Sequence, residues 1–124
     1  MENDFKLHEP QTIEELQSLV REASAITLNG REGSPSPPNT THISLSGFQN
    51  IVEYQPEEYT ITVEAGAKVS DVISALAEQR QYLPFDPPFI DKDSTIGGMI
   101  ANGYSGPGGY RYGILRDFIL GLTL

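Results

Sequence analysis

The chain of 124 residues contains no cysteine. Within it, disulfide frameworks, thiolate zinc sites, iron–sulfur ligation and cysteine nucleophiles are therefore excluded, and any such centre would sit on a partner. Basic residues are also scarce: Lys and Arg number 8 against 17 Asp and Glu, for a formal net charge of −9. A sequence-independent grip on nucleic acid or on an anionic bilayer needs the opposite balance, so neither is expected as a partner. No uninterrupted apolar run approaches the length of a membrane span, and the opening MENDFKLHEPQ lacks a basic region followed by an apolar core. These features read as a soluble, cytoplasmic domain. Long single-sign charge runs are missing too, and 38% hydrophobic residues suffice for one modest core.

What is abundant is glycine, and its distribution is uneven. Seven of the twelve glycines fall between Gly97 and Gly113, in the stretch STIGGMIANGYSGPGGYRYGILRDF. Each glycine raises the entropy cost of ordering the chain, so this density implies either disorder or a backbone that passes close to something.

Hydrophobic periodicity gives the frame. Thr12 and Glu15 stand at capping-box spacing ahead of Ile13, Leu16, Leu19, Val20 and Ala23, which predicts an amphipathic helix. Ala25–Leu28 reads as a strand followed by a loop through REGSPSPPNTT. His42–Leu45, Ile51–Tyr54 and Tyr59–Glu64 read as three further strands, together a meander, the last with period-two alternation. Gly66 ends that strand, and Val69, Val72, Ile73, Leu76 and Ala77 mark a second helix with Ser70 and Asp71 in its first turn. Ser94 and Thr95 are N-cap candidates for a short apolar segment, Ile96 to Ala101. The closing ILRDFILGLTL reads as a turn leading into a strand. The order implies an α+β fold with a mixed sheet. No strand–G-x-G-x-x-G–helix unit is present, so a Rossmann nucleotide site is excluded.

Two glycine-bearing segments carry possible chemistry. A helix N-terminus offers unpaired N–H groups and a partial positive charge, and Gly97-Gly98 removes the Cβ atoms that would keep a phosphate away. The alternative is that the pair only permits tight packing and that GPGG is a surface turn. LNGREGS at residues 28 to 34 also follows a strand and offers free backbone donors. It reads either as a second phosphate loop or as an ordinary turn.

Taken in order, AITLNGREGS, then VEYQPEEYTITVEAGAKVSDVISALAEQRQYLPFDPP, then STIGGMIANGYSGPGGYRYGILRDFILGLTL resembles the FAD-binding domain of the vanillyl-alcohol oxidase, or PCMH-type, flavoprotein family, and within it the branch of the glycolate oxidase flavin subunits. The resemblance implies a PCMH-type α+β fold whose first subdomain runs over about residues 11–65 and whose second begins at about 66–124. It implies FAD as cofactor. Asn29, Gly30, Arg31, Glu32, Gly33 and Ser34 correspond to the first pyrophosphate loop, with Arg31 and Glu32 departing from the smaller residues usual there. Pro87, Thr95, Ile96, Gly97, Gly98, Asn102, Gly103, Ser105 and Gly106 fall on positions that line FAD in the family. Arg116 and Asp117 match the family's Arg-Asp pair, read either as a cofactor contact or as a turn holding the next strand. Neither His8 nor His42 lies where family members attach flavin covalently, so binding is expected to be noncovalent. Tyr104, Tyr110 and Tyr112 stand near the turn, and Arg111 could face an acidic substrate.

The resemblance covers only the beginning of the family's flavin domain. It implies a further subunit or C-terminal segment that supplies the rest of the flavin site and the substrate cap. Two functional expectations follow. One is the FAD-binding part of an oxidoreductase acting on a 2-hydroxy acid such as glycolate, with no catalytic residue assignable; the other is a truncated remnant or interaction module that keeps the fold without turnover.

Overall fold

The computed structural model describes residues 6–28, 36–85, 93–102 and 113–124. Near the N-terminus, strand β1 (Leu7–His8) leads into helix α1 (Ile13–Glu22) and strand β2 (Ile26–Leu28). Half of the capping box forms: the Glu15 N–H donates to Thr12 Oγ1 at 3.2 Å, while the Glu15 carboxylate accepts the Gln11 N–H at 2.7 Å. The return bond thus lands one residue before the cap itself.

Strand β3 (Thr41–Ile43) lies between β1 and β2, parallel to both, with Thr27 and Leu7 registered against His42 and Leu28 against Ile43. The expected meander is corrected here. The β1–α1–β2 unit supplies β3 with two parallel neighbours, and the turn closed by Phe48 N–H on the Leu45 carbonyl sends the chain into a separate sheet. That second sheet is an antiparallel hairpin of β4 (Ile51–Gln55) and β5 (Thr60–Val63), with a bulge between Ile51 and Glu53. Its connection is a short 3₁₀ turn, Pro56–Glu58, followed by Tyr59 in the left-handed region at φ 56°. Parallel and antiparallel pairing both occur, so the α+β class holds.

Helix α2 (Val69–Glu78) buries Val69, Val72 and Leu76, its i, i+3, i+7 face. They meet Phe85, Met99 of helix α3 (Ile96–Asn102) and Leu115, while Tyr54, Ile61 and Val63 of the hairpin pack against the same cluster. Each fully buried aliphatic side chain there contributes about 1.5–3 kcal/mol. The hairpin is also tied to the end of α2 by polar groups. The half-buried Tyr54 hydroxyl donates to Gln81 Oε1 at 2.6 Å, and Gln81 Nε2 donates to the Pro56 carbonyl at 2.8 Å.

The last segment forms a 3₁₀ turn, Leu115–Phe118, rather than leading directly into a strand. Residues 119–124 pair with no strand among the described residues. Ile119 reaches the core and the Phe85 and Phe118 rings meet with centroids 5.8 Å apart, but Leu120 and Leu122 remain 83% and 66% exposed.

Candidate functional site

The segment Ala65-Gly66-Ala67-Lys68, between β5 and α2, decides where the start of α3 sits. Ala67 is fully buried, and a Cβ on Gly66 would collide with the Leu45 carbonyl and stand 2.5 Å from that of Phe48. Only glycine lets this crossover lie against the 45–48 turn. On its other side it receives the start of α3: Val69 N–H donates to Ser94 O at 2.9 Å, and Ile96 and Gly97 N–H donate to Ala67 O and Ala65 O, each at 2.8 Å.

Thr95 then caps α3 in the expected way, its Oγ1 accepting the Gly98 N–H at 3.1 Å. The N–H groups of Ile96, Gly97 and Gly98 are therefore all engaged by acceptors of the protein itself. As arranged, these three donors are not the anion-binding set that an open helix N-terminus would present. For Gly97 the packing reading accounts for the residue: its Cβ would lie 2.8 Å from Ala65 O and 3.1 Å from Ala65 Cβ.

Gly98 is different. Among the described residues, a Cβ built there meets only Thr95 Oγ1, at 3.2 Å, and the residue is exposed. Folding of these residues does not demand glycine at this position, and the bare backbone is open to an approaching group. This is the feature that fits a cofactor laid against α3. Adjacent glycines thus differ in surroundings, Gly97 pressed against Ala65 and Gly98 open to the outside.

The described structure reaches the other candidates unevenly. Thr95, Ile96, Gly97 and Gly98 are brought together on the AGA crossover, with Ile96 buried in the core, and the backbone of Asn102 ends α3. Asn29, Gly30, Arg31, Glu32, Gly33, Ser34, Pro87, Gly103, Ser105 and Gly106 lie outside the described residues, as do Tyr104, Tyr110, Arg111 and Tyr112. Asp117 Oδ2 accepts the Ile114 N–H at 3.1 Å and closes the final turn, beside Gly113 at φ +99°. That geometry fits the turn-holding reading of Asp117. A separate surface groove of about 490 Å³ runs between β1 and α1, lined by Glu9, Glu14, Glu15 and Glu22 among others. Four carboxylates there repel a pyrophosphate, so the groove does not compete as a dinucleotide site.

Sequence reasoning missed the carbonyls of Ala65 and Ala67, which dock α3. The signal was present as two alanines flanking a glycine at a strand end, a composition that permits backbone-to-backbone approach.

The family model described as FAD binding domain matches residues 7–124. The chain belongs to the FAD binding domain family. Members similar to this FAD-binding domain include glycolate oxidase subunit GlcE of Escherichia coli (strain K12), 29% identical over 90% of this chain and 33% of that protein. Glycolate oxidase subunit GlcD of Bacillus subtilis (strain 168) is 39% identical over 62% of this chain and 16% of its own length. D-lactate dehydrogenase [cytochrome] 1, mitochondrial, of Saccharomyces cerevisiae (strain ATCC 204508 / S288c) is 33% identical over 69% of the chain and 14% of its length. The chain thus spans a third or less of these curated relatives. In fold it is similar to alkyldihydroxyacetonephosphate synthase, with TM-score 0.70 and 23% identity over 90% of this chain and 23% of that one. Among the described residues no helix is long and apolar enough to cross a membrane.

Proposed function

We propose that this FAD-binding domain holds FAD noncovalently as part of an oxidoreductase acting on a 2-hydroxy acid such as glycolate. The observation that carries the reading is Gly98, a glycine exposed on α3 that packing among the described residues does not require, inside a chain matched to an FAD-binding family along nearly its whole length. Thr95, Ile96, Gly97, Gly98 and Asn102 are proposed to form one side of the cofactor site, with Pro87, Gly103, Ser105 and Gly106 continuing it. Asn29, Gly30, Arg31, Glu32, Gly33 and Ser34 are proposed as the loop on the pyrophosphate. In a protein of net charge −9, backbone approach rather than lysine pairing suits a dianionic diphosphate.

When bound, FAD supplies the two-electron redox chemistry, and the protein's part is to position it. In this chain Thr95 holds the first turn of α3, Ala65 and Ala67 fix the helix on the crossover, and Gly98 leaves its backbone bare. Noncovalent binding is supported by the absence of cysteine and by the positions of the histidines, His8 in β1 and His42 buried in β3. The names of the relatives, two glycolate oxidase subunits and a D-lactate dehydrogenase, support a 2-hydroxy acid as the substrate class. The exposed Leu120 and Leu122 support completion of the site by further polypeptide, which would cover them and bring the substrate.

One observation also favours a second reading, an interaction module without turnover: the same leucines form a ready contact surface whether or not cofactor is held. Purification in the presence of FAD separates the two. A flavin absorption band that survives gel filtration is the expected result. Loss of all flavin under conditions in which a longer relative retains it would overturn the binding claim.

A further inference from the structure

The residue that begins α2 is a poor local choice for its place. Lys68 is the N-cap of this ten-residue helix and makes no side-chain capping bond. Lysine has three donors and no acceptor, so it satisfies none of the free N–H groups there, and its charge opposes the positive end of the helix dipole. Serine, threonine, aspartate and asparagine are the residues that local stability favours. Lys68 is also half-buried and forms no ion pair among the described residues, in a chain where Asp and Glu outnumber Lys and Arg by 17 to 8. A residue that breaks a local rule without local compensation marks a place where function sets the choice.

Its position says which function. Lys68 and Thr95 form an isolated antiparallel bridge, flanked by the bonds from Val69 N–H to Ser94 O and from Ile96 N–H to Ala67 O. They are thus a non-hydrogen-bonded pair, whose side chains leave the same face with Cβ atoms about 4.5–5.5 Å apart. On that face Thr95 Oγ1 holds the Gly98 N–H, and beyond it lies the open backbone of Gly98. The flexible lysine stem is long enough to bring its ammonium past Thr95 to this opening. The first N–H groups of α3 are already engaged by Ala67 O, Ala65 O and Thr95 Oγ1, so an anion laid here finds no free donor at the start of the helix.

We propose that Lys68 is a binding residue of the same site, pairing its ammonium with the diphosphate of a cofactor that lies against Gly98. This rests on the reading under Proposed function, and it adds a charged side chain that the glycine pattern does not point to. Backbone approach gives the cofactor its position in this acidic chain; Lys68 supplies one point charge where the start of α3 has no donor left. The locally unfavourable N-cap is retained for that charge.

The test compares the full chain with Lys68→Ser and Lys68→Arg. Each is melted without ligand and titrated with FAD at low and at high salt, with ADP as a competitor because it carries the diphosphate without the flavin. Lys68→Ser gains a cap and should melt about 2–4 °C above the parent. It should also bind FAD and ADP roughly 3–10-fold more weakly at low ionic strength, the deficit closing as salt rises, since a part-exposed charge pair is screened. Lys68→Arg keeps the charge and should bind within about threefold of the parent. Parental FAD affinity in Lys68→Ser at low salt overturns the pairing, as does a deficit that salt leaves unchanged. A loss for FAD without one for ADP overturns it as well, since the effect would then lie away from the diphosphate. Melting of Lys68→Ser below the parent shows that the lysine serves the fold, which also overturns the proposal. Failure of the parent chain to bind FAD removes the functional reading, and the pairing with it.

Discussion

Replacing each glycine of the Gly97-Gly98 pair by alanine should change stability in opposite directions. Neither residue has positive φ, so alanine suits the local backbone at both, and helix propensity alone favours it by about 0.8–1 kcal/mol. At Gly97 the new Cβ stands 2.8 Å from Ala65 O, the same oxygen that accepts the Gly97 N–H. That carbonyl cannot move aside without losing its bond, so overpacking of about 1–3 kcal/mol adds to a hydrogen bond worth about 1 kcal/mol. The net is a destabilisation of about 1–3 kcal/mol, or about 5–10 °C in Tm for a chain of this size. At Gly98 the new Cβ meets Thr95 Oγ1 at 3.2 Å and nothing else within 4 Å among the described residues. Displacing that cap slightly costs about 0.5 kcal/mol, so the variant should melt at or a few degrees above the parent. With FAD the order reverses: Gly98→Ala should bind at least tenfold more weakly, because its methyl group occupies the open approach. Thermal melts of the cofactor-free variants, followed by FAD titration of those that fold, provide both readings. A Gly97→Ala melt equal to the parent's would refute the docking geometry, and undiminished FAD affinity in Gly98→Ala would refute the proposed approach.

Two other residues offer tests of different kinds. Thr95→Ala should lower stability by about 1 kcal/mol by removing the cap on α3, while Thr95→Ser keeps the hydroxyl and should lose far less; urea unfolding of the pair checks this, and equal midpoints for alanine and serine would show that the cap contributes nothing. At Tyr54, burial first and the Glu57 carboxylate second push the phenol pKa above its ordinary value. The unfolded phenol ionises near pH 10 and the folded one higher, so between these points the folded state binds more protons and stability falls as pH rises. The contribution is complete below about pH 10 and is lost through the raised folded value. Tyr54→Phe loses the hydrogen bond to Gln81 and should be less stable at neutral pH, and with no phenol to ionise it should show a shallower alkaline decline; an identical alkaline slope in both proteins would contradict this assignment.

Much of the frame could be read from local pattern because local physics determines it. The Thr12 cap on α1 needs only Thr12, Glu15 and the backbone between them, and the buried face of α2 is a matter of spacing. Strands β2, β4 and β5 begin and end within one or two residues of their apolar runs, and the Pro56 turn separates β4 from β5. Partner choice was not legible in this way. A two-residue strand such as β1 has no periodicity to detect and exists only because β3 pairs with it. The same blindness produced the meander, where β3 looked like the neighbour of β4 because it comes next in the chain. The glycine pair was legible as composition and not as role: Gly97 and Gly98 look alike in sequence, and only the position of Ala65 separates them.

That separation bears on how the family resemblance is used. A glycine-rich stretch that matches an FAD-binding family invites each glycine to be assigned to the cofactor, yet Gly66 and Gly97 are fully explained by protein backbone pressed against them. Both belong to one assembly, in which the crossover lies between the 45–48 turn and the start of α3. Its precision places the open face of Gly98. A substitution at Gly66 or Gly97 can therefore abolish cofactor binding by disturbing this assembly, and loss of flavin in such a variant would report on folding. Stability must be measured beside affinity at each of these positions, because only at Gly98 does the geometry predict that the two part company.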